Sequence, residues 1–392
     1  MKFKLLRKWN GKALINACIN NDTSYALLLL HNIKLCDISI INKKGNTALI
    51  TSIYYKMENV ALKLLEQPEL CNIGNINYYG ATALITSIYY KMENVALKLL
   101  EQPELCNIGY INYYGETALI TSIYYKMENV ALKLLEQPEL CNIGNINKSD
   151  STALILAIDR KMEKVALKLL ETPKLCNVGH VDKKCNIGNI NYYYGGTALV
   201  TSIYYKMENV ALKLLEQPEL CNVGHVDKNG NTALILAICK KMEKAALKLL
   251  EKPELCNVGH VNKNGNTALI LCIWNNMENI AYDLIKKMTL HDIIYVNPQT
   301  GFNALKISRY CKMDKIINLI SKYYSIPDLH NNYLDIKNKN ECELCYDKNT
   351  SLILFDKCRQ IINICDDCAK FMTHICPKCR MQNNVIKRIR MN

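Results

Sequence analysis

The chain has 392 residues, 49% hydrophobic and 22% charged, a balance that predicts a folded, soluble protein. No stretch approaches the roughly eighteen uninterrupted apolar residues of a membrane span. The net charge of +13 suggests nucleic acid, but most lysines recur singly among glutamates, as in ALKLLE and KKMEK, which reads as solvated surface. Nucleic-acid binding is therefore a minor alternative, resting on Lys387, Arg388 and Arg390 at the C-terminus.

The start, MKFKLLRKWNGKALINACINN, is basic and then amphipathic. It lacks the apolar core of a secretion signal and reads as the first of a series of units. With the cysteines in two populations, neither of which reads as disulfides, an intracellular, cytoplasmic setting with reduced thiols is the expectation. The phrase G-x-TALITSIYYKMENVALKLLEQPELCNIGNIN then recurs, its threonine at Thr47, Thr82, Thr117, Thr152, Thr197, Thr232 and Thr267. The spacing is 35 residues, with 45 between Thr152 and Thr197. Lys12 and Asn303 extend the series to nine units, and a copied loop segment in 177–194 accounts for the longer interval. Internal repetition of this period means one stacked body in place of the two or three globules that length alone suggests.

Within a unit, Thr47 to Tyr55 predicts a short helix with Ala48, Leu49 and Ile53 on one face. Met57 to Gln67 predicts a second, with Met57, Val60, Ala61, Leu64 and Leu65 inward and Glu58, Lys63 and Glu66 outward. Pro68 should stop it, and Gly74 and Gly80 should permit tight turns on the way to the next unit. One such pair cannot bury its apolar face alone, so stability must come from stacking. Twelve of the 19 cysteines lie in this region, mostly one per unit in the phrase LCN, and read as small buried apolar groups.

The unit resembles the ankyrin repeat, through its Gly-x-Thr-x-Leu opening, helix pair, outward loop and period. It departs in having Ala48 for the usual proline, Lys56-Met57 for the glycine-centred turn, and a longer loop. The resemblance covers residues 1–325 and implies an all-α solenoid of about nine helix-turn-helix units that binds protein. In that family the partner lies against the loop tips and first-helix ends. Here those positions hold Tyr54, Tyr55, Tyr89, Tyr90, Tyr124, Tyr125, Tyr204 and Tyr205 on helices, and Tyr78, Tyr79, Tyr113, Tyr114 and Tyr192 to Tyr194 at loop tips. Tyrosine offers large amphipathic contact at low rotamer cost. Recent copying of near-identical units would also explain the run, and both explanations stand at this point.

Residues 326–340 lose the period and read as a linker. The segment 341–392 then carries Cys342/Cys345, Cys365/Cys368 and Cys376/Cys379 around a lone Cys358. Thiolates two residues apart can share one tetrahedral zinc ion, and about fifty residues need such a staple in place of a core. The order of pairs resembles a RING finger of the compact C-terminal kind, a small zinc-stabilised α+β domain with two structural zinc ions. By resemblance, Cys342, Cys345, Cys365 and Cys368 form the first site, and Cys358, Cys376 and Cys379 supply three ligands of the second. The family's histidine position is Gln360, a poor zinc ligand. His374 is the candidate substitute, and a weak or empty second site is the alternative. Leu344, Pro377 and Arg380 match the positions that contact a ubiquitin-conjugating enzyme in RING ligases.

The resemblance thus implies a ubiquitin ligase whose repeats select a protein substrate or host protein. A non-enzymatic adaptor or decoy with a degenerate finger is the competing expectation. Val385, Ile386, Ile389 and Met391 suggest a final strand, through which related tails form homodimers. The layout and its Asn-, Ile-, Lys- and Tyr-rich composition resemble the ankyrin families of giant DNA viruses.

Overall fold

The computed structural model describes residues 2–182 and 196–324, together with the backbone of three strands at 350–355, 360–365 and 386–389. The chain divides into two compact units, Met1–Asn222 and Val223–Asn392. Six helix pairs stack in the first and three in the second.

Repeats two to seven are built from helices of about two turns, far too short to persist alone. In the second repeat these are Ala48–Tyr54 and Glu58–Leu64. Both are shorter than the sequence pattern suggests, for definable reasons. Thr47 stands outside the first helix as its N-cap, its Oγ1 accepting from the Ile50 amide at 3.2 Å. The same cap recurs at Thr82, Thr117, Thr152, Thr197, Thr232 and Thr267. The second helix ends at Leu64, with Leu65 as its cap, before Pro68 is reached. The proline therefore lies in the turn beyond the helix and is not its terminator. Met57 is the N-cap residue of that helix, with its side chain buried.

The first helix is more buried than an amphipathic stripe would be. Ala48, Leu49, Ile50, Thr51, Ser52 and Ile53 are all buried, because the helix packs on its own partner and on the first helices of both neighbours. Two polar residues survive there by bonding to their own helix: Thr51 Oγ1 donates to the Thr47 carbonyl at 2.7 Å and Ser52 Oγ to the Leu49 carbonyl at 2.8 Å. Unbonded, each buried hydroxyl would cost about 1–3 kcal/mol.

The turn between helices needs a left-handed residue, and a lysine fills it. Lys56, Lys91, Lys126, Lys161 and Lys206 have φ between 57° and 59°, a conformation glycine adopts more cheaply. Gly80 has φ +68, as a turn glycine should, and a Cβ there would meet the Tyr113 ring at 3.0 Å. Gly74 plays a different part from the one its sequence suggests. A Cβ on it would stand 2.6 Å from the Leu105 carbonyl oxygen, so it permits close approach of the next repeat.

Asparagines fasten neighbouring loops. Asn77 Oδ1 accepts from the Tyr79 and Ala81 amides at 3.0 and 2.9 Å, while its Nδ2 donates to Asn46 Oδ1 at 2.9 Å. The Asn262–Asn231 and Asn297–Asn266 pairs repeat the contact, and Ser151 bonds Asp182 at the equivalent place. Asp182 pairs with Gly196 across the long interval. Helices Ala153–Asp159 and Ala198–Tyr204 on either side still pack together.

The first repeat departs from the others, its first helix running Lys2–Ile19 without a threonine cap. The ninth ends in Asp314–Tyr324. In the C-terminal segment three antiparallel strands lie in the order Gln360–Cys365, Thr350–Phe355, Ile386–Ile389. No helix among the described residues is long and apolar enough to cross a membrane.

Candidate protein-binding surface

The tyrosines that end the first helices join across repeats. Tyr54 packs edge-to-face on Tyr55 and on Tyr90, with ring centroids 5.1 and 5.4 Å apart. Tyr90 packs on Tyr89, Tyr89 on Tyr125, and Tyr125 on Tyr124, at 5.2, 5.4 and 5.2 Å. Each contact is the tilted geometry that aromatic quadrupoles prefer. The rings remain accessible despite it: Tyr54, Tyr89 and Tyr124 are 50%, 56% and 49% exposed.

At the fifth repeat the tyrosines give way to Asp159, Arg160 and Lys161, and the ladder continues through them. The Arg160 guanidinium lies over the Tyr124 ring at 4.6 Å. Tyr205 Oη donates to Asp159 Oδ1 at 2.6 Å, and Lys161 Nζ lies 5.7 Å from the Tyr205 ring centre. Tyr204 and Tyr205 pack on each other at 5.2 Å. These polar links were not anticipated from the sequence. The departure of DRK from the YYK of the neighbouring units was the available signal.

Burial and neighbouring hydroxyls shape the chemistry of the ladder. The Tyr125 hydroxyl is pushed up to about 12, by burial first and then by Tyr89, Tyr124 and Glu116. Tyr90 is raised for the same leading reason. Burial also raises Glu116, against the lowering effect of its hydrogen bond with Asn112, and raises Asp159 against the bond from Tyr205.

The loop-tip tyrosines form a separate set. Tyr78 and Tyr113 lie beside Gly45 and Gly80 of the preceding loops, while Tyr79 and Tyr114 are 60% and 72% exposed. Among the described residues no ring contact joins them to the helix-end ladder. Tyr192 to Tyr194 lie outside the described residues.

Most repeat cysteines are placed in the core, whereas Cys239 is exposed and Cys311 half-buried at the ends of their first helices. Cys71, Cys106, Cys141, Cys176, Cys221 and Cys256 are fully buried free thiols. Each of these sulfurs faces a proline carbonyl, as Cys71 Sγ does Pro68 at 3.5 Å. Burial pushes the first five up to about 12, so they stay protonated, neither nucleophiles nor metal ligands. No three His, Cys, Asp or Glu side chains converge as a metal site among the described residues.

Of the tail's candidate residues, Leu344, Pro377, Arg380, Cys342, Cys345, Cys358, Cys368, His374, Cys376 and Cys379 lie outside the described residues. Cys365 is the last residue of its strand, paired with Thr350, and Gln360 is the first, paired with Phe355. The suggested final strand is present at Ile386–Ile389 and pairs with Thr350–Phe355 of the same chain.

Comparison with known proteins agrees with this geometry. The family described as ankyrin repeats (3 copies) matches residues 199–297, which span the sixth to eighth units. The crystal structure of the ankyrin repeat domain of Bcl-3, described as a unique member of the IkappaB protein family, is 18% identical. The match covers 60% of this chain and 96% of that one, with a TM-score of 0.41. No curated protein matches the chain. Residues 199–297 thus match ankyrin repeats, and a helix pair of the same kind recurs from the second repeat to the ninth.

Proposed function

We propose that the ankyrin repeats hold a protein substrate and that the cysteine-rich tail is a RING-like domain recruiting a ubiquitin-conjugating enzyme, making the chain a ubiquitin ligase. The observation that carries this is the tail's pattern of three Cys-x-x-Cys pairs and a lone cysteine, with Leu344, Pro377 and Arg380 in the frame of the conjugating-enzyme contacts.

Seven thiols and the His374 imidazole form a donor set suited to zinc. Cys342, Cys345, Cys365 and Cys368 would hold one ion, and Cys358, Cys376 and Cys379, completed by His374, the other. Zinc would serve as a structural staple in a segment too small for a core. Such a domain supplies no nucleophile. Leu344 and Pro377 would seat the conjugating enzyme, and Arg380 would hold its bound ubiquitin, so the contribution is orientation of a thioester already formed. Ile386–Ile389 is an edge strand with one neighbour, and pairing of that edge with a second copy is the proposed route to a homodimer. An intracellular setting, in a host cytoplasm if the chain is viral, belongs to the same proposal.

Gln360 favours a second reading. With glutamine in place of the family's histidine, a degenerate finger would leave the repeats as an adaptor or decoy that sequesters its partner. Autoubiquitination of the full-length chain across a panel of conjugating enzymes separates the two. Ubiquitin chains that disappear in Leu344→Ala support the ligase. Their absence with every enzyme, from protein with an intact helical melt, supports the adaptor.

A further inference from the structure

Charge is segregated in the repeats of the first unit. In repeats two to four and six the second helix and the turn after it carry carboxylates in excess: in the second repeat Glu58, Glu66 and Glu69 stand against Lys63. Their lysines are spoken for, with Lys63–Glu66, Lys98–Glu101 and Lys133–Glu136 at 2.6–2.7 Å. Asn94 and Asn129 tie these helices together through Glu58 and Glu93 at 2.9 Å.

The turns that follow the tyrosine ladder are the reverse. Lys56, Lys91, Lys126 and Lys206 are exposed and form no ion pair among the described residues. Each directly follows a ladder tyrosine. Two carboxylates approach this strip. Asp159 is engaged by Tyr205 at 2.6 Å and lies 3.9 Å from Arg160 Nε, and Glu116 is half-buried, where burial favours its protonated form. The result is a line of exposed ring edges, hydroxyls and ammonium groups, recurring in repeats two to four and six beside outer segments whose carboxylates are in excess.

We propose that this tyrosine–lysine strip, over repeats two to six, binds an extended acidic segment of a protein partner. The ammonium groups would steer and hold carboxylates, within the roughly 8 Å reach of charge at physiological salt. The half-exposed rings would cover the apolar groups between them. A linear array of Tyr-Tyr-Lys steps, with Asp159, Arg160 and Lys161 in their place in the fifth repeat, suits an extended chain better than a folded surface. Single-stranded nucleic acid would need free ring faces for base stacking, and here those faces meet the edges of neighbouring rings at interplanar angles of 67–78°.

The proposal rests on the repeats being the protein-binding part of the molecule, and its test is independent of ubiquitin transfer. Fluorescence anisotropy of the full-length chain would use three labelled probes: a glutamate–tyrosine copolymer, a lysine–tyrosine copolymer and oligothymidylate. The acidic copolymer is expected to bind, more weakly as salt rises, and the basic one not to bind. Lys56→Gln, Lys91→Gln and Lys126→Gln together should weaken that binding by about tenfold or more. Lys63→Gln, Lys98→Gln and Lys133→Gln remove the same charge from the outer helices and should change it by less than about twofold. Should a triple variant fail to fold, Lys91→Gln and Lys98→Gln carry the same contrast at smaller amplitude. Equal losses from both sets would overturn the strip, as would tighter binding of oligothymidylate or no binding of the acidic copolymer. Autoubiquitination that persists without copolymer binding sinks the strip alone, and copolymer binding without ubiquitin transfer sinks the ligase alone.

Discussion

The repeats and the C-terminal segment use the same residue in opposite ways. In six repeats the cysteine of the LCN phrase sits in a dry site against a proline carbonyl, and burial keeps its proton on. In the tail, cysteines come in pairs two residues apart, and as proposed they work as thiolates. Spacing and surroundings set the chemistry, and the count of cysteines says little. The stability of the two regions should differ in the same way. A repeat is held by many small contacts shared with its neighbours, whereas a zinc-stapled segment stands or falls with a few bonds.

The largest expected effect tests that division directly. Stripping zinc with a strong chelator, or removing a ligand with Cys345→Ser, should abolish folding of the tail, since structural zinc in small domains contributes about 10–16 kcal/mol. The helical melt followed by far-UV circular dichroism should stay as it was, because the repeats hold no such site among the described residues. A chelator that also melts the helices would break the comparison.

A single repeat cysteine should have a smaller, graded effect. Cys106→Ser places a hydroxyl in a fully buried site and should destabilise the stack by roughly 1–2 kcal/mol in urea, the Pro103 carbonyl recovering part of the desolvation cost. In the folded chain Cys71, Cys106, Cys141, Cys176, Cys221 and Cys256 should react with Ellman's reagent only at the rate of local opening, and rapid labelling of Cys106 in native protein would contradict its burial.

The caps should behave additively. Thr82→Ala and Thr152→Ala each remove an oxygen that accepts a buried amide at 3.2 Å and should cost about 1 kcal/mol apiece. The double variant should lose the sum, as nearest-neighbour stacking requires of sites two repeats apart.

The smallest effect is electrostatic. Burial raises the pKa of Glu116 above its ordinary 4.5, so the folded state holds this proton more firmly than the unfolded chain. The contribution is favourable below the unfolded value and is lost as pH rises through the folded one. Glu116→Gln should therefore stabilise the chain slightly at neutral pH. The gain should fade in acid, and urea titrations across that range would show it. A gain that persists in acid would assign the effect to packing.

Much of this was legible in the sequence because repetition multiplies every signal. A threonine followed by apolar residues at one period, a lysine where a turn needs a left-handed residue, and a cysteine in LCN all recur with the unit. Helix ends were less legible. The second helix stops at Leu64, ahead of Pro68, because a two-turn helix is bounded by how its neighbours pack and not by the next proline. Gly74 likewise serves a contact with Leu105 that no local pattern records.

By itself the sequence determined the repeat, its period, the helix pair within it and the tail's cysteine spacing, since each depends on residues near one another in the chain. Tertiary structure alone decided that the tyrosines join into one ladder, that Asp159 and Arg160 continue it, and that the lysines of the turns are parted from the ion-paired lysines of the outer helices. The physical reason is distance. Tyr89 meets Tyr125, and Tyr205 meets Asp159, across one full repeat or more, and only stacking brings such residues within the few ångströms over which rings, hydroxyls and charges act.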